Sequence, residues 1–199
     1  MTLSATVRDG PKSGSDLRIA GALFLVAGIL FYLVNMMAES IYPKYNVGSN
    51  YLSDLGARGT TTMLLWDSML FVFGILFLTS TYFFLRRTGN KLMMLTFIVS
   101  GIGSIIVSLF PENSILAMHT IGAEAAFLFG GISAILAYRV TKPPFRYFAL
   151  ALGIITLASD LMLFGGIYFG LGVGGMERMV VYPEMAFLMA LGGYLLNSQ

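Results

Sequence analysis

RIAGALFLVAGILFYLVNMMA, residues 18–38, holds a charge at its first position and none in the twenty that follow. As an α-helix this run is roughly 31 Å long at 1.5 Å per residue, matching a hydrocarbon core of roughly 30 Å. A buried helix of a soluble protein does not need so long an uncharged stretch, so the run reads as a membrane span. Five more stretches of the same character follow, at 64–85, 92–110, 115–138, 145–169 and 176–196. The fold class is therefore all-α, a polytopic six-helix transmembrane bundle.

Composition agrees. The 199 residues are 57% hydrophobic and 11% charged, and their mean hydropathy is +0.81. So few charges cannot cover a water-facing surface of this size. The net charge of +2, with no long basic run, argues against a nucleic-acid partner. The chain has no Cys, which removes disulfides, thiolate metal sites and iron–sulfur clusters. Its single His cannot make a three-His zinc site or bis-His haem ligation within one chain, so neither metal nor cofactor is expected.

Residues 1–17 form a polar tail, and 18–199 form a single domain whose one long loop is 39–63. The tail does not read as a cleavable signal, because the apolar run behind it is too long and NMMAES at its far end offers no small-x-small site. Basic residues orient the bundle. Arg8, Lys12, Arg18, Arg86, Arg87, Lys91, Arg139, Lys142 and Arg146 fall on one side, and only Lys44, Arg58 and Arg178 on the other. The positive-inside rule then places both termini in the cytoplasm of a cell-membrane protein.

The acids sort the opposite way. Glu39, Asp54, Asp67, Glu112, Glu124, Asp160, Glu177 and Glu184 all lie on the outer side or in the outer half of a span. A carboxylate in hydrocarbon is costly and must face protein or water. These groups are therefore expected to converge on an outward-opening cavity, some of them protonated or sharing a proton and one of them pairing with Arg178. Three outer connections repeat an aromatic–Pro pair beside an acid, in ESIYP (39–43), FPE (110–112) and VYPE (181–184). Each pair is accounted for by a helix end and a headgroup-level aromatic, yet three on one face suggest a shared site. Pro183 is expected to kink or break span six. The six glycines of GGIYFGLGVGG (165–175) point to irregular backbone there. In span four, Gly122, Ala126, Gly130 and Ala134 form a small-residue ridge, expected to pack on Ser100, Ser104 and Ser108 of span three. At 100° per residue, roughly, His119 shares the side of that ridge while Glu124 does not.

YPKYNVGSNYLSDLG (42–56), SLFPEN (108–113), HTIGAEAAFLFGG (119–131) and GMERMVVYP (175–183) together resemble an archaeal and bacterial membrane family known as domain of unknown function 998. The resemblance covers nearly everything after residue 18. A fainter one, carried by Ser53, Asp54 and Gly56 and by His119, Gly122 and Ala123, extends to damage-regulated autophagy modulators and GPI-anchor remodelling proteins. That kinship implies work on or with lipids. The membrane hydrolases related to alkaline ceramidases do not fit, since they use several His ligands.

Three functions follow. The first is lipid handling, with Asn50, Ser53, Asp54, Glu112 and Arg178 as polar contacts and Tyr42 and Tyr182 at the rim. Glu39, His119, Glu124, Asp160, Glu177 and Glu184 complete this candidate ligand set, which suits polyol or amine groups better than phosphate. The second is a lipid hydrolase or transferase, in which Ser53 attacks, His119 is the base and Asp54 or Glu112 orients it. SDLG lacks the GxSxG elbow and is also an ordinary turn or cap. The third is a proton- or cation-coupled transporter through Glu124, Asp160 and Glu184, or an accessory subunit. The inner halves of the spans carry no acid, which counts against a path. Membrane lipids are the expected partners, along with a second copy or another membrane protein on the small-residue faces.

Overall fold

The structure, a computed structural model, describes residues 13–197. Among these residues it contains six α-helices and one short 3₁₀ turn. The helices are α1 Ser13–Ile41, α2 Met63–Thr88, α3 Lys91–Leu109, α4 Leu116–Val140, α5 Phe145–Phe164 and α6 Gly172–Leu196; the turn is Ser53–Gly56. All six helices are long and apolar enough to cross a membrane, so the chain is a multi-pass membrane protein. Helix α1 begins at Ser13, inside the expected polar tail; residues 1–12 of that tail lie outside the described residues. Helix α5 stops at Phe164, five residues short of the expected end, because Gly166 (φ 70°) and Gly170 (φ 81°) turn the chain there. Helix α6 starts earlier than expected, at Gly172, and runs through Pro183 without a break.

Each helix packs on its neighbours in sequence, and α6 closes onto α1, so the six make a ring. Two faces result. One carries the connections 42–62, 110–115 and 165–171 and is called the loop face; the opposite, terminal face carries the start of α1 and the end of α6. On the terminal face α2 turns tightly into α3. Gly89 adopts φ 61°, a conformation open to a residue without Cβ, and the Asn90 side chain caps α3 by accepting the Met93 N–H at 3.1 Å.

Glycines set the helix spacing. A Cβ on Gly21 would stand 2.7 Å from the Gly192 carbonyl oxygen, one on Gly103 2.6 Å from that of Gly122, and one on Gly153 2.8 Å from that of Gly131. These contacts seal the α1–α6, α3–α4 and α4–α5 seams by bringing backbones together. The expected ridge of α4 divides between two tasks. Gly122 and Ala126 face α3, where Ser100 donates to the Ala126 carbonyl at 3.1 Å, whereas Gly130 receives Glu184 of α6.

The ring is filled unevenly. Toward the terminal face Phe24, Phe77, Phe84 and Phe97 pack edge to face, with centroids 5.4–5.9 Å apart. Phe145 stacks between Phe187 and Tyr194. Ser80 donates to the Ala20 carbonyl at 2.5 Å, tying α2 to α1. Toward the loop face the interior stays partly open.

Candidate functional site

A cavity occupies the loop-face half of the ring. Its wall is mainly apolar, with Phe31, Phe73, Phe127 and Met185 prominent, and is interrupted by Ser53, Ser104, His119, Glu177 and Glu184. The free volume is about 50 Å³, a few waters' worth where one water needs roughly 10–15 Å³. A mostly apolar chamber with a few convergent polar groups is the usual form of a small-ligand site.

The polar groups descend from the loop into the bundle. Ser53 Oγ donates to Glu112 Oε2 at 2.7 Å. Glu112 also hydrogen-bonds Asp54, and burial, then that bond and the Asp54 charge, push its carboxyl up to about 7 despite the opposing Ser53 bond. Glu112 therefore keeps its proton well above the ordinary carboxylate range. One helical step deeper, His119 Nδ1 lies 2.9 Å from the Phe110 carbonyl oxygen. A carbonyl can only accept, so Nδ1 carries the hydrogen. Nε2 has no hydrogen-bond partner among the described residues. Glu177, 6% exposed, accepts the Leu52 N–H and so ties α6 to the loop. Glu184, also 6% exposed, lies twelve residues into α6, roughly 18 Å from its loop-face end and near mid-span. It is deeper than expected because α6 starts earlier. Its one polar contact is a long 3.5 Å approach from Ser100 Oγ.

A second cluster holds the loop down. Arg178, almost fully buried, donates to Glu39 Oε1 and to Tyr45 Oη, both at 2.6 Å. It also donates to the carbonyls of Val47 (3.0 Å), Asn50 (3.3 Å) and Gly174 (2.8 Å). This is the expected pairing of Arg178 with a carboxylate, and five bonds from one guanidinium make it the clamp of the loop. Its Nε is buried with no hydrogen-bond partner among the described residues. Asn35 of α1 extends the cluster, donating to Glu39 Oε1 (3.0 Å) and Tyr182 Oη (3.2 Å) and accepting from Trp66 Nε1 (3.3 Å). Tyr32 Oη reaches the Tyr182 carbonyl at 3.0 Å. Burial pushes the Tyr45 and Tyr51 hydroxyls up, so both are donors across the neutral range.

The candidate residues thus separate into groups. Ser53, His119, Glu177 and Glu184 meet at the cavity, with Glu112 one bond behind Ser53. Glu39, Arg178 and Tyr182 form the clamp. Asn50 and Asp54 are spent within the loop: Asn50 Nδ2 donates to Asp54 Oδ2 at 2.8 Å, and the Tyr51 N–H to the same oxygen at 2.9 Å. Tyr42 packs edge-on to Tyr45, 5.4 Å between centroids. Asp160 is buried and Glu124 half-buried; neither lines the cavity or makes a hydrogen bond among the described residues, although each lies within electrostatic reach of the other. Among the described residues no three His, Cys, Asp or Glu side chains group closely enough to hold a metal ion.

Sequence reasoning missed Tyr32, Asn35, Tyr45 and Trp66. Asn35 and Glu39 stand four residues apart at the end of an apolar run, a spacing that puts both on one helix face. That was the available signal. Nothing local marks Tyr45 or Trp66 as partners.

The fold defines a multi-pass helical membrane protein with a mostly apolar chamber in the loop-face half of its ring. Residues 25–194 match the family described as "Protein of unknown function (DUF998)", and the chain belongs to that family. No curated protein and no solved structure matches it.

Proposed function

We propose that this protein binds the headgroup of a membrane lipid in the loop-half cavity, receiving an amine or hydroxyl donor on Glu177 and Glu184. In this reading the loop face is outside the cell membrane and both termini are cytoplasmic, as the basic residues suggest. The observation that carries it is the imbalance of charge in the chamber. Two buried carboxylates, the free Nε2 of His119 and a Ser hydroxyl face an apolar cavity, while the nearest cation, Arg178, is already committed to Glu39 and the loop carbonyls. Buried acceptors with too few donors are expensive, Glu177 and Glu184 having one each among the described residues, and a cationic or hydroxyl-bearing guest supplies more.

Two features favour binding over the alternatives. The Ser53 hydroxyl donates to Glu112, and His119 Nδ1 donates to a backbone carbonyl. A Ser–His–acid relay is not assembled from these bonds. The aromatic plug of Phe24, Phe77, Phe84 and Phe97 fills the other half of the ring, which disfavours a transport path.

Native mass spectrometry of protein extracted from its own membranes tests the reading. The wild-type chain should retain an amine- or hydroxyl-bearing lipid. Glu177→Gln and Glu184→Gln should each weaken retention about ten- to a hundredfold, the worth of a charge-assisted hydrogen bond. Equal retention by all three proteins, or no lipid on the wild type, refutes it.

A further inference from the structure

Helices α1 and α6 touch closely toward the terminal face, where Gly21 meets Gly192 and Gly28 meets the Met189 side chain. Toward the loop face the same seam opens into a cleft of about 290 Å³, lined by Tyr32, Leu33, Asn35, Met36, Glu39 and Tyr182. Leu33 and Met36 are 52% and 62% exposed, so this side of the bundle faces the bilayer. The cleft lies roughly 3–15 Å below the loop-face ends of the two helices, the depth of lipid glycerol and upper acyl chain. Polar groups are costly on a lipid-facing surface, yet four of the six lining side chains are polar. The Oε2 atom of Glu39 makes no hydrogen bond among the described residues, because Arg178 and Asn35 both use Oε1.

The cleft is also next to the cavity. Phe31 and Val181 line the cavity, while their immediate neighbours Tyr32 and Tyr182 line the cleft. What separates the two spaces is a hydrogen-bonded layer: Tyr32 to the Tyr182 carbonyl, Asn35 to Tyr182 Oη and Glu39, and Trp66 to Asn35. Each bond in that layer is between side chains, or from a side chain to one carbonyl, so parting it disturbs no helix ladder.

We infer that the α1–α6 cleft is a lateral door, through which a lipid of the loop-face leaflet presents its amine or hydroxyl headgroup to Glu39 and then to the central cavity. Its acyl chains stay in the bilayer along Leu33 and Met36. This inference rests on the lipid-binding reading of the cavity and adds its route.

The absence of native Cys makes the test clean. In bilayers of phosphatidylethanolamine and phosphatidylglycerol, a photoreactive side chain at Leu33 or Met36 should label lipid several-fold more than one at Leu161, an equally lipid-facing position on α5. Joining Tyr32→Cys to Tyr182→Cys with a short bis-methanethiosulfonate reagent, which forms a disulfide to each thiol and releases methanesulfinate, should slow exchange of phosphatidylethanolamine at least tenfold. Reduction of the link should restore it, which separates a sealed door from a damaged fold. Equal labelling at Leu161, or unchanged exchange in the linked protein, overturns the door while leaving cavity binding intact. Failure of the wild-type protein to retain lipid at all overturns the cavity reading instead.

Discussion

Glu184 of α6 lays its carboxylate on the bare backbone of Gly130 in α4, so closely that a Cβ there would stand 1.8 Å from Oε1. The missing side chain of one helix is the seat of an acidic side chain from another. Gly130→Ala therefore has to displace Glu184, at about 1–3 kcal/mol for overpacking. The same change in a Glu184→Ala background should cost much less. A double-mutant cycle on thermal unfolding in detergent measures the coupling; additive effects would mean that the two residues do not meet.

Glu184 itself should trade stability for binding. Its carboxylate is buried with one marginal contact, and Ser100 keeps the Ala126 carbonyl as a partner if Glu184 is lost. Glu184→Met should stabilise the lipid-free protein by about 1–3 kcal/mol while lowering lipid retention. A purely structural Glu184 predicts the reverse sign in the melting curve.

Arg178→Ala removes the clamp and strands Glu39, whose side chain is 21% exposed. Breaking a buried pair from one side costs about 3–5 kcal/mol, and the partial exposure of Glu39 puts this case at the low end. Tryptic cleavage after Lys44, in the released loop, should accelerate with it. Arg178→Lys should recover part of the stability, since one ammonium cannot serve five acceptors. Unchanged cleavage in Arg178→Ala would remove the clamp from the account.

Glu112 gives a pH dependence with a defined sign. Its folded-state value of about 7 lies above the ordinary 4.5, so the folded protein holds the proton more tightly than the unfolded chain. That contribution is fully present below about pH 4.5 and is lost as pH rises through about 7. Thermal stability should therefore decline between pH 5 and 8. Glu112→Gln, which mimics the protonated acid toward both Ser53 and Asp54, should flatten the decline. A slope that survives the substitution assigns the proton elsewhere.

The bundle was legible in the sequence because hydrophobic runs of membrane length have few competing explanations. Span edges slipped where glycine decided them: α5 ends early at the Gly165–Gly166 turn, and α6 begins at Gly172. The Arg178 pairing was legible too, since buried charges demand partners. Which acid it chose was not, because Glu39 lies 139 positions away and several acids were equally available. Asn50 and Asp54 looked like ligand contacts by type; the Asn50 amide and one Asp54 oxygen bond each other within their own loop, as Asx side chains commonly do, and Asp54 also bonds Glu112. Asn35 was overlooked because one amide hardly alters the apolarity of a long run, although its three bonds join α1, α2 and α6. Whether Pro183 would interrupt α6 depended on packing from other helices, which local pattern does not encode.

The span of 139 residues between Glu39 and Arg178 also sets a schedule. At roughly 5–20 residues per second, a ribosome needs roughly 7–28 s to make the second partner after the first. Through that interval the loop after α1 stands without its fastener, and the α1–α6 seam has only one side. The ring can close only when α6 arrives, so a single step both locks the loop and completes the α1–α6 seam. A chaperone or insertase that shelters α1 during those seconds would be guarding Asn35 and Glu39, the polar groups that have most to lose in lipid before α6 is there to meet them.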